Sequence, residues 1–186
     1  MTPVYVSDQE LDAALDQVLA SPSDGGRVAL IVVRPAQDKR ETRREVHLSP
    51  EGGLDGDRWG MGGEPPDQQV SLMNARLLRL LAGGDEERMA QAGDNLVVDL
   101  ALDDESLPAG QRLRIGDVLL EITGAPHTGC GSFAARFGRD AARYVNAAQR
   151  RGLHLRGRYA RVLRAGTVCV GDEIVKVSTM ESDSTM

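Results

Sequence analysis

The chain carries only two cysteines, Cys130 and Cys169, in 186 residues. That is too few for a disulfide framework, and in a reducing compartment both are expected to be free thiols. No apolar run approaches the roughly 18 to 20 residues that a bilayer-spanning helix needs, and the opening MTPVYVSDQE has neither a basic n-region nor an apolar h-region. A cytoplasmic protein with no membrane contact is the expectation. Also missing are GxGxxG, the Gly-Lys-Ser/Thr of a P-loop, and the CxxC or CxxC-His spacing of zinc and haem sites. These absences argue against nucleotide-phosphate and thiolate-metal chemistry of the usual kinds.

What remains, at 41% hydrophobic and 27% charged residues, is the composition of an ordinary folded globule and excludes disordered, collagen-like and disulfide-scaffold classes. The length predicts one domain, long enough to bury about 70% of the surface its unfolded chain exposes. The expected organisation is an N-terminal helix and lead-in over 1–27, a β-rich domain over 28–178, and a polar, frayed tail over 179–186.

Charge is unevenly distributed. The chain carries −6 overall, yet between His127 and Ala165 nine arginines stand against a single acid, Asp140. Such a stretch marks either a solvated helix face or an anion-attracting surface, and arginine supplies the planar fork that grips oxyanions in two places. An anionic small molecule suits it better than nucleic acid, because the whole protein has a pI near 5.1.

Ser7-Asp8-Gln9-Glu10 has the spacing of a capping box, with Leu11, Leu15, Val18 and Leu19 following at helical intervals. VALIVV (28–33) reads as a buried strand, and a second strand is expected around residues 44–48. After a glycine-rich loop from Gly52 to Gly63, Ser71 is placed to cap a helix whose apolar side is Leu77, Leu78, Leu80 and Leu81, with Gly83-Gly84 ending it. From Asn95 onward six runs read as strands of one barrel: NLVVDL, RLRI, VLLEIT, HLRGRYARVL, TVCV and EIVKV. Gly116-Asp117 and Gly171-Asp172 stand between strand-like runs, as tight turns require. One further helix is predicted over 132–149, with Gly152 as its stop. The fold class is therefore mainly β with helical decorations (α+β), a closed or half-closed barrel.

Cys130 lies in the loop PHTGCGS, just ahead of the predicted helix. A thiol there faces the positive end of the helix dipole, which favours the thiolate that attacks sulfur and binds soft metals. Gly129 and Gly131 leave room for a ligand to approach, and His127 is a base or hydrogen-bond partner three residues away. A free cysteine can equally be a small core hydrophobe, which is the reading favoured for Cys169 between Val168 and Val170. His47 and His154 fall in strand alternations and read as ordinary surface or half-buried histidines. Asp55, Asp57 and Arg58 either fix their loop or help to cradle a ligand, and Trp59 reads as a loop anchor.

Taken in order, GLDGDRW (53–59), VSL (70–72), GDNLVV (93–98), LRIGDVLLEITG (113–124), HTGC (127–130), FG (137–138), RGRYARVLRAG (156–166) and VGDEIVKV (170–177) resemble a MOSC domain. The family is named for the C-terminal domain of molybdenum cofactor sulfurase and includes small stand-alone bacterial proteins. The resemblance implies a barrel of the pyruvate-kinase type. It also implies that Cys130 carries sulfur as a persulfide, received from a pyridoxal-phosphate-dependent cysteine desulfurase, or ligates molybdenum in a bound molybdopterin cofactor. In this reading His127 assists protonation, and Arg58, Asn95, Arg158 and Arg161 hold the pterin phosphate or another anionic group. A desulfurase or a molybdoenzyme would be the partner. An enzymatic form is molybdenum-dependent reduction of N-hydroxylated compounds, and the rival from another class is a non-catalytic binding module for an anionic partner. The chain departs from the family in having His127-Thr128-Gly129-Cys130 where many members have Arg-x-Pro-Cys, and Gly93-Asp94-Asn95-Leu96 where they have Gly-Glu-Asn-Leu.

Overall fold

The computed structural model describes residues 5–62 and 64–178. The tail expected over 179–186 lies outside the described residues. Helix α1 (Asp8–Leu19) begins with the capping box: the Glu10 N–H donates to Ser7 Oγ, and the Ser7 N–H donates to the Glu10 carboxylate at 2.8 Å. The chain then runs through β1 (Gly26–Val33), β2 (Glu41–Arg43), β3 (Glu45–Ser49), β4 (Gly53–Leu54), β5 (Val70–Asn74), α2 (Ala75–Ala82), α3 (Glu86–Ala90) and β6 (Leu96–Asp99). It continues through β7 (Arg112–Ile115), β8 (Val118–Ile122), α4 (Gly131–Phe137), α5 (Arg139–Asn146), β9 (Arg158–Arg164), β10 (Gly166–Cys169) and β11 (Glu173–Val177).

Seven strands close into a barrel in the order β1, β11, β7, β8, β9, β5, β6 and back to β1, with β2 added beside β1. Within the ring only β5 and β6 run parallel, and the helical crossover α2–α3 that joins them covers the barrel's flank. Ile31, Val33, Leu72, Leu96 and Val98 fill the barrel, while the alternating Leu30, Val32, Met73 and Val97 face the helices. A strand covered on both faces needs no polar side, which is why β1 reads as one apolar run. Each such side chain withdrawn from water contributes about 1.5–3 kcal/mol. Among the described residues no helix is long and apolar enough to cross a membrane.

Several sequence expectations change. Ser71 lies inside β5, and the cap of α2 is Asn74, whose side chain accepts from the Arg76 and Leu77 N–H groups. A strand continuing into a helix offers both residues as caps, and only Asn74 stands at the junction. The helix expected over 132–149 is broken in two by Gly138, whose φ of 95° no helix tolerates, and a 3-10 turn (Ala148–Leu153) follows α5. HLRG is no strand: His154 ends that turn at φ 46° and holds Asp104 at 2.7 Å.

TVCV forms β10, which pairs with β3 in a separate three-stranded sheet (β10-β3-β4) instead of joining the ring. Gly116-Asp117 does turn a hairpin, between β7 and β8, whereas Gly171-Asp172 carries the chain from the small sheet into the barrel. Cys169 is correspondingly half-buried on an outer strand, its Sγ 3.9 Å from Glu45 Oε2, and does not belong to the core.

Candidate functional site

One end of the barrel gathers the end of β1, the starts of β5, β6 and β9, and the start of α4. The register puts Leu72 opposite both Leu96 and Arg158, so Ser71, Asn95 and Tyr159 fall in one row across three strands. Asn95 is fully buried, and its whole amide is used: Oδ1 accepts from the Ser71 N–H and hydroxyl at 3.1 and 3.2 Å, and Nδ2 donates to the Val32 carbonyl and to Asp57 at 3.2 and 3.0 Å. Asp57 grips Arg34 in two places, each at 2.9 Å, and also accepts from the Trp59 N–H. Burial works against the Arg34 charge, but the paired carboxylate more than offsets it, and the guanidinium stays above its ordinary pKa.

A second bracket stands beside the first. Asp94, buried, holds Arg156 at 2.7 Å, and the Arg156 guanidinium lies 4.8 Å over the Phe133 ring. The turn into β9 brings the Gly157 backbone against β5 so closely that a Cβ would overlap the Leu72 carbonyl oxygen, at a φ of 116° that only glycine adopts readily. This contact seats Arg156, Arg158 and Tyr159 around the barrel end.

The two brackets line a pocket of about 240 Å³ whose wall includes Arg34, Arg40, Arg58, Arg136, Arg156, Ser71, His127, Thr128, Cys130 and Tyr159. Arg34 and Arg156 have buried carboxylate partners, and Arg136 reaches Asp38 at 3.2 Å. Arg40 is held below its ordinary pKa by burial and by the neighbouring charges of Arg136, Arg34 and Arg58. Nε of Arg40, Arg58 and Arg156, and Nδ1 of His127, are buried without a hydrogen-bond partner. Unsatisfied donors crowded with like charge are what an anion would relieve.

Cys130 is exposed at this pocket, in extended backbone (φ −96°) at the start of α4. The N–H groups of Phe133 and Ser132 face the sulfur without reaching the geometry of a cap hydrogen bond. Their partial positive charge, with Arg156 behind them, holds the thiol below its usual pKa. His127 stacks on Tyr159 with ring centroids 4.3 Å apart, and burial drives its pKa down to about 4. Asp94 Oδ1 stands 3.7 Å from its Nε2, too far for a hydrogen bond. The imidazole therefore enters the pocket uncharged at neutral pH. Around Cys169, by contrast, partial burial and the carboxylates of Asp172 and Glu45 push the thiol up.

Beyond His127, Thr128 and Arg156 the wall is shared with a second lobe of about 370 Å³, lined also by Gly124, Ala125, Pro126, Val145, Asp104 and Arg158. Arg158 is buried there, 3.1 Å from Asp104.

A family model describing the MOSC domain matches residues 43–175. The chain belongs to the MOSC domain family. That family is associated with molybdenum cofactor binding and sulfurase-type function. No curated protein matches the chain. Among solved structures, the YuaD protein of Bacillus subtilis aligns with a TM-score of 0.56 at 20% identity, over 83% of this chain and 97% of its own. YiiM from Escherichia coli aligns with a TM-score of 0.54 at 20% identity, over 82% of this chain and 70% of its own. YiiM from Geobacillus stearothermophilus gives 0.53 at 18%, over 82% and 75%. At these identities the likeness speaks for the fold.

Of the sequence-predicted site residues of this MOSC domain, Cys130, His127 and Arg58 meet at the arginine pocket, and Arg158 stands in the adjoining lobe. Asn95 lies behind the wall with its side chain fully engaged, so it builds the pocket without facing a ligand. Arg161 falls on the opposite face of β9 from Arg158, exposed and paired with Glu121 at 2.7 Å, away from the cysteine. Sequence reasoning missed Arg34, Arg40, Arg136, Arg156 and Tyr159 as specific site residues. A signal existed for three: Arg34 is a charge directly following a buried strand, and Arg156 and Tyr159 stand on either side of the tight Gly157 turn.

Proposed function

We propose that the protein binds a molybdenum pterin cofactor at this end of the barrel, with Cys130 as the protein's ligand to the metal. The observation that carries the reading is a single one: the exposed, acidified thiol stands in a pocket where Nε of Arg40, Arg58 and Arg156 is buried without a hydrogen-bond partner. A molybdopterin has its phosphate and metal-binding sulfurs toward one end and a planar bicycle at the other. Those donor and acceptor needs fit the residues present. Arg40, Arg58 and Arg156 would hold the phosphate, Cys130 the metal, and the second lobe with Arg158, Asp104 and Thr128 the bicycle. Among the described residues no three His, Cys, Asp or Glu side chains converge on one point. A metal at Cys130 would therefore take its other ligands from the cofactor.

When bound, the cofactor would supply a redox-active molybdenum that a soft thiolate ligates well. The chain's own residues do the rest. Asp57 and Asp94 keep Arg34 and Arg156 aimed at the pocket, Asn95 and Ser71 fix Asp57, and the uncharged His127 offers Nδ1 for a hydrogen bond. A second reading is favoured by the exposure of the Cys130 sulfur: a persulfide carrier loaded by a pyridoxal-phosphate-dependent cysteine desulfurase needs a thiol that a partner can reach. Reduction of N-hydroxylated compounds at the metal is the enzymatic form of the first reading.

The test is molybdenum content and pterin fluorescence of protein purified from a molybdenum-replete host. Arg58→Ala is expected to weaken pterin retention about ten- to hundredfold, the loss of a charged hydrogen bond of about 1.5–3 kcal/mol. Cys130→Ser should keep the pterin and lose the metal, and Arg161→Ala should change neither. Wild-type protein free of pterin and molybdenum, or a Cys130→Ser variant with full metal content, refutes the reading. Cyanide-labile sulfur on Cys130 without molybdenum would favour the carrier.

A further inference from the structure

The loop 124–129 that delivers Cys130 has no regular structure, and glycine at position 129 leaves the backbone free just where direction matters. One side chain restrains it. Asn146, the last residue of α5, accepts from the Gly129 N–H through Oδ1 at 2.7 Å and donates through Nδ2 to the Gly129 carbonyl at 2.8 Å. Among the described residues no other hydrogen bond reaches the backbone of 124–129. A planar amide holding both polar groups of one residue fixes that residue's rotation, a restraint that a proline would supply through its ring and that glycine lacks.

The clasp is itself anchored. Tyr144, nearly fully buried, donates its hydroxyl to Asp12 of α1 at 2.7 Å. Arg150 donates to the same carboxylate at 2.9 Å, with its guanidinium 3.8 Å over the Tyr144 ring. One turn earlier on α1, Asp8 takes Arg143 at 2.6 Å. Helix α1 lies outside the residues that the family model matches.

We propose that Asn146 is the positioning residue for Cys130, and that α1 holds Asn146 in place through α5. The inference deepens the reading of Cys130 as the reactive group, but it rests on a contact that exists without any cofactor. Freed from the clasp, the loop turns about Gly129, and the first-turn N–H groups of α4 no longer keep station opposite the sulfur. The helix end by itself does not require Asn146, because the Ala147 N–H already closes α5 on the Tyr144 carbonyl.

The experiment uses the full-length chain without added cofactor. Hydrogen exchange of the Ala134 amide, which bonds the Cys130 carbonyl at 3.0 Å, and the ratio of Cys130 to Cys169 alkylation by iodoacetamide at one pH, are measured for wild type, Asn146→Ala, Asn146→Gln and Asp12→Ala. In Asn146→Ala the Ala134 amide should exchange about tenfold faster and the alkylation ratio should fall about threefold or more, while strand amides keep their protection. Asn146→Gln, which carries the same amide one methylene further, should recover part of both. Asp12→Ala removes an exposed anchor remote from the loop, and should shift both readouts in the same direction by less. Unchanged exchange and an unchanged ratio in Asn146→Ala overturn the proposal, as does a Gln variant no closer to wild type than Ala. Wild-type protein that lacks molybdenum would overturn the cofactor reading and leave these outcomes as they are.

Discussion

Lowering the pH from 7 to 5 should destabilise the fold through one side chain. His127 is buried to 8% exposure, lies against Tyr159, and faces Arg156 and Arg34, while the nearest acid, Asp94, is already bound to Arg156. Burial is the first cause of its depressed pKa and the two arginines add to it; Asp94 opposes them incompletely. Folded, the ring resists protonation until about 4, whereas in the unfolded chain it takes a proton at its ordinary 6.5.

Between those values the unfolded state binds more protons, so stability falls as pH falls through that window and is fully present above it. At pH 5 the loss is about 2 kcal/mol, and it reaches about 3 kcal/mol once the folded protein also protonates. The carboxylates held down by their partners, Asp57 and Asp104, lose their contributions only below the ordinary aspartate value of 3.8, so pH 5 isolates the histidine. Urea unfolding of wild type and His127→Phe at both pH values measures it. Phenylalanine keeps the stack on Tyr159 and removes the titration. The wild type should lose about 2 kcal/mol more than the variant on going to pH 5. Equal losses in the two proteins, or an NMR titration of His127 with a midpoint near 6.5, would refute the reasoning.

Two further outcomes are expected. Cys130 should be alkylated about tenfold faster than Cys169 at pH 7, because N–H groups and Arg156 favour one thiolate while Glu45 and Asp172 disfavour the other; equal rates would contradict this. Asn95→Ala should lower stability by about 2–5 kcal/mol in chemical denaturation, since it strands the Ser71 N–H and the Val32 carbonyl and loosens Asp57. A loss under about 1 kcal/mol would mean that water replaces the amide.

How much of this was legible in the sequence depended on the range of the interactions. The capping box at Ser7 and Glu10, the hairpin at Gly116 and the cysteine ahead of α4 are each specified within a few residues, and each is where local rules put it. Apolar patterning likewise marked six of the seven ring strands and missed β5, which is buried throughout and reads as the lead-in to a helix. Ring membership was not legible, because TVCV alternates like a barrel strand and only its pairing with Glu45–Leu48 removes it. The arginine pocket was hidden for the same reason. Arg34, Arg40, Arg58, Arg136 and Arg156 come from five separate segments, and the charge-rich stretch drew attention to Arg161, which lies further along β9 and is paired with Glu121. Asn95 looked like a ligand because it is polar in a recognisable block, yet its partners at Ser71 and Asp57 are 24 and 38 residues distant.

Ring closure has a consequence for the order in which the chain can fold. The seam is made by β1 and β11, through Gly26 opposite Ile174 and Arg27 opposite Glu173, so the earliest strand waits for the latest. Until β11 has been synthesised, the start of β1 and one side of β7 present open edges, and the apolar interior they enclose stays wet on that side. Folding during synthesis therefore has no complete intermediate to rest on, and the helices on the flank can dock early only against a sheet that is still open. Closing so long a loop costs little more than closing a short one, because the entropy grows only logarithmically with length, but it slows the search. A chain cut before residue 173 should thus expose strand edges and aggregate, where a cut in an exposed loop such as 83–85 would leave the seam intact.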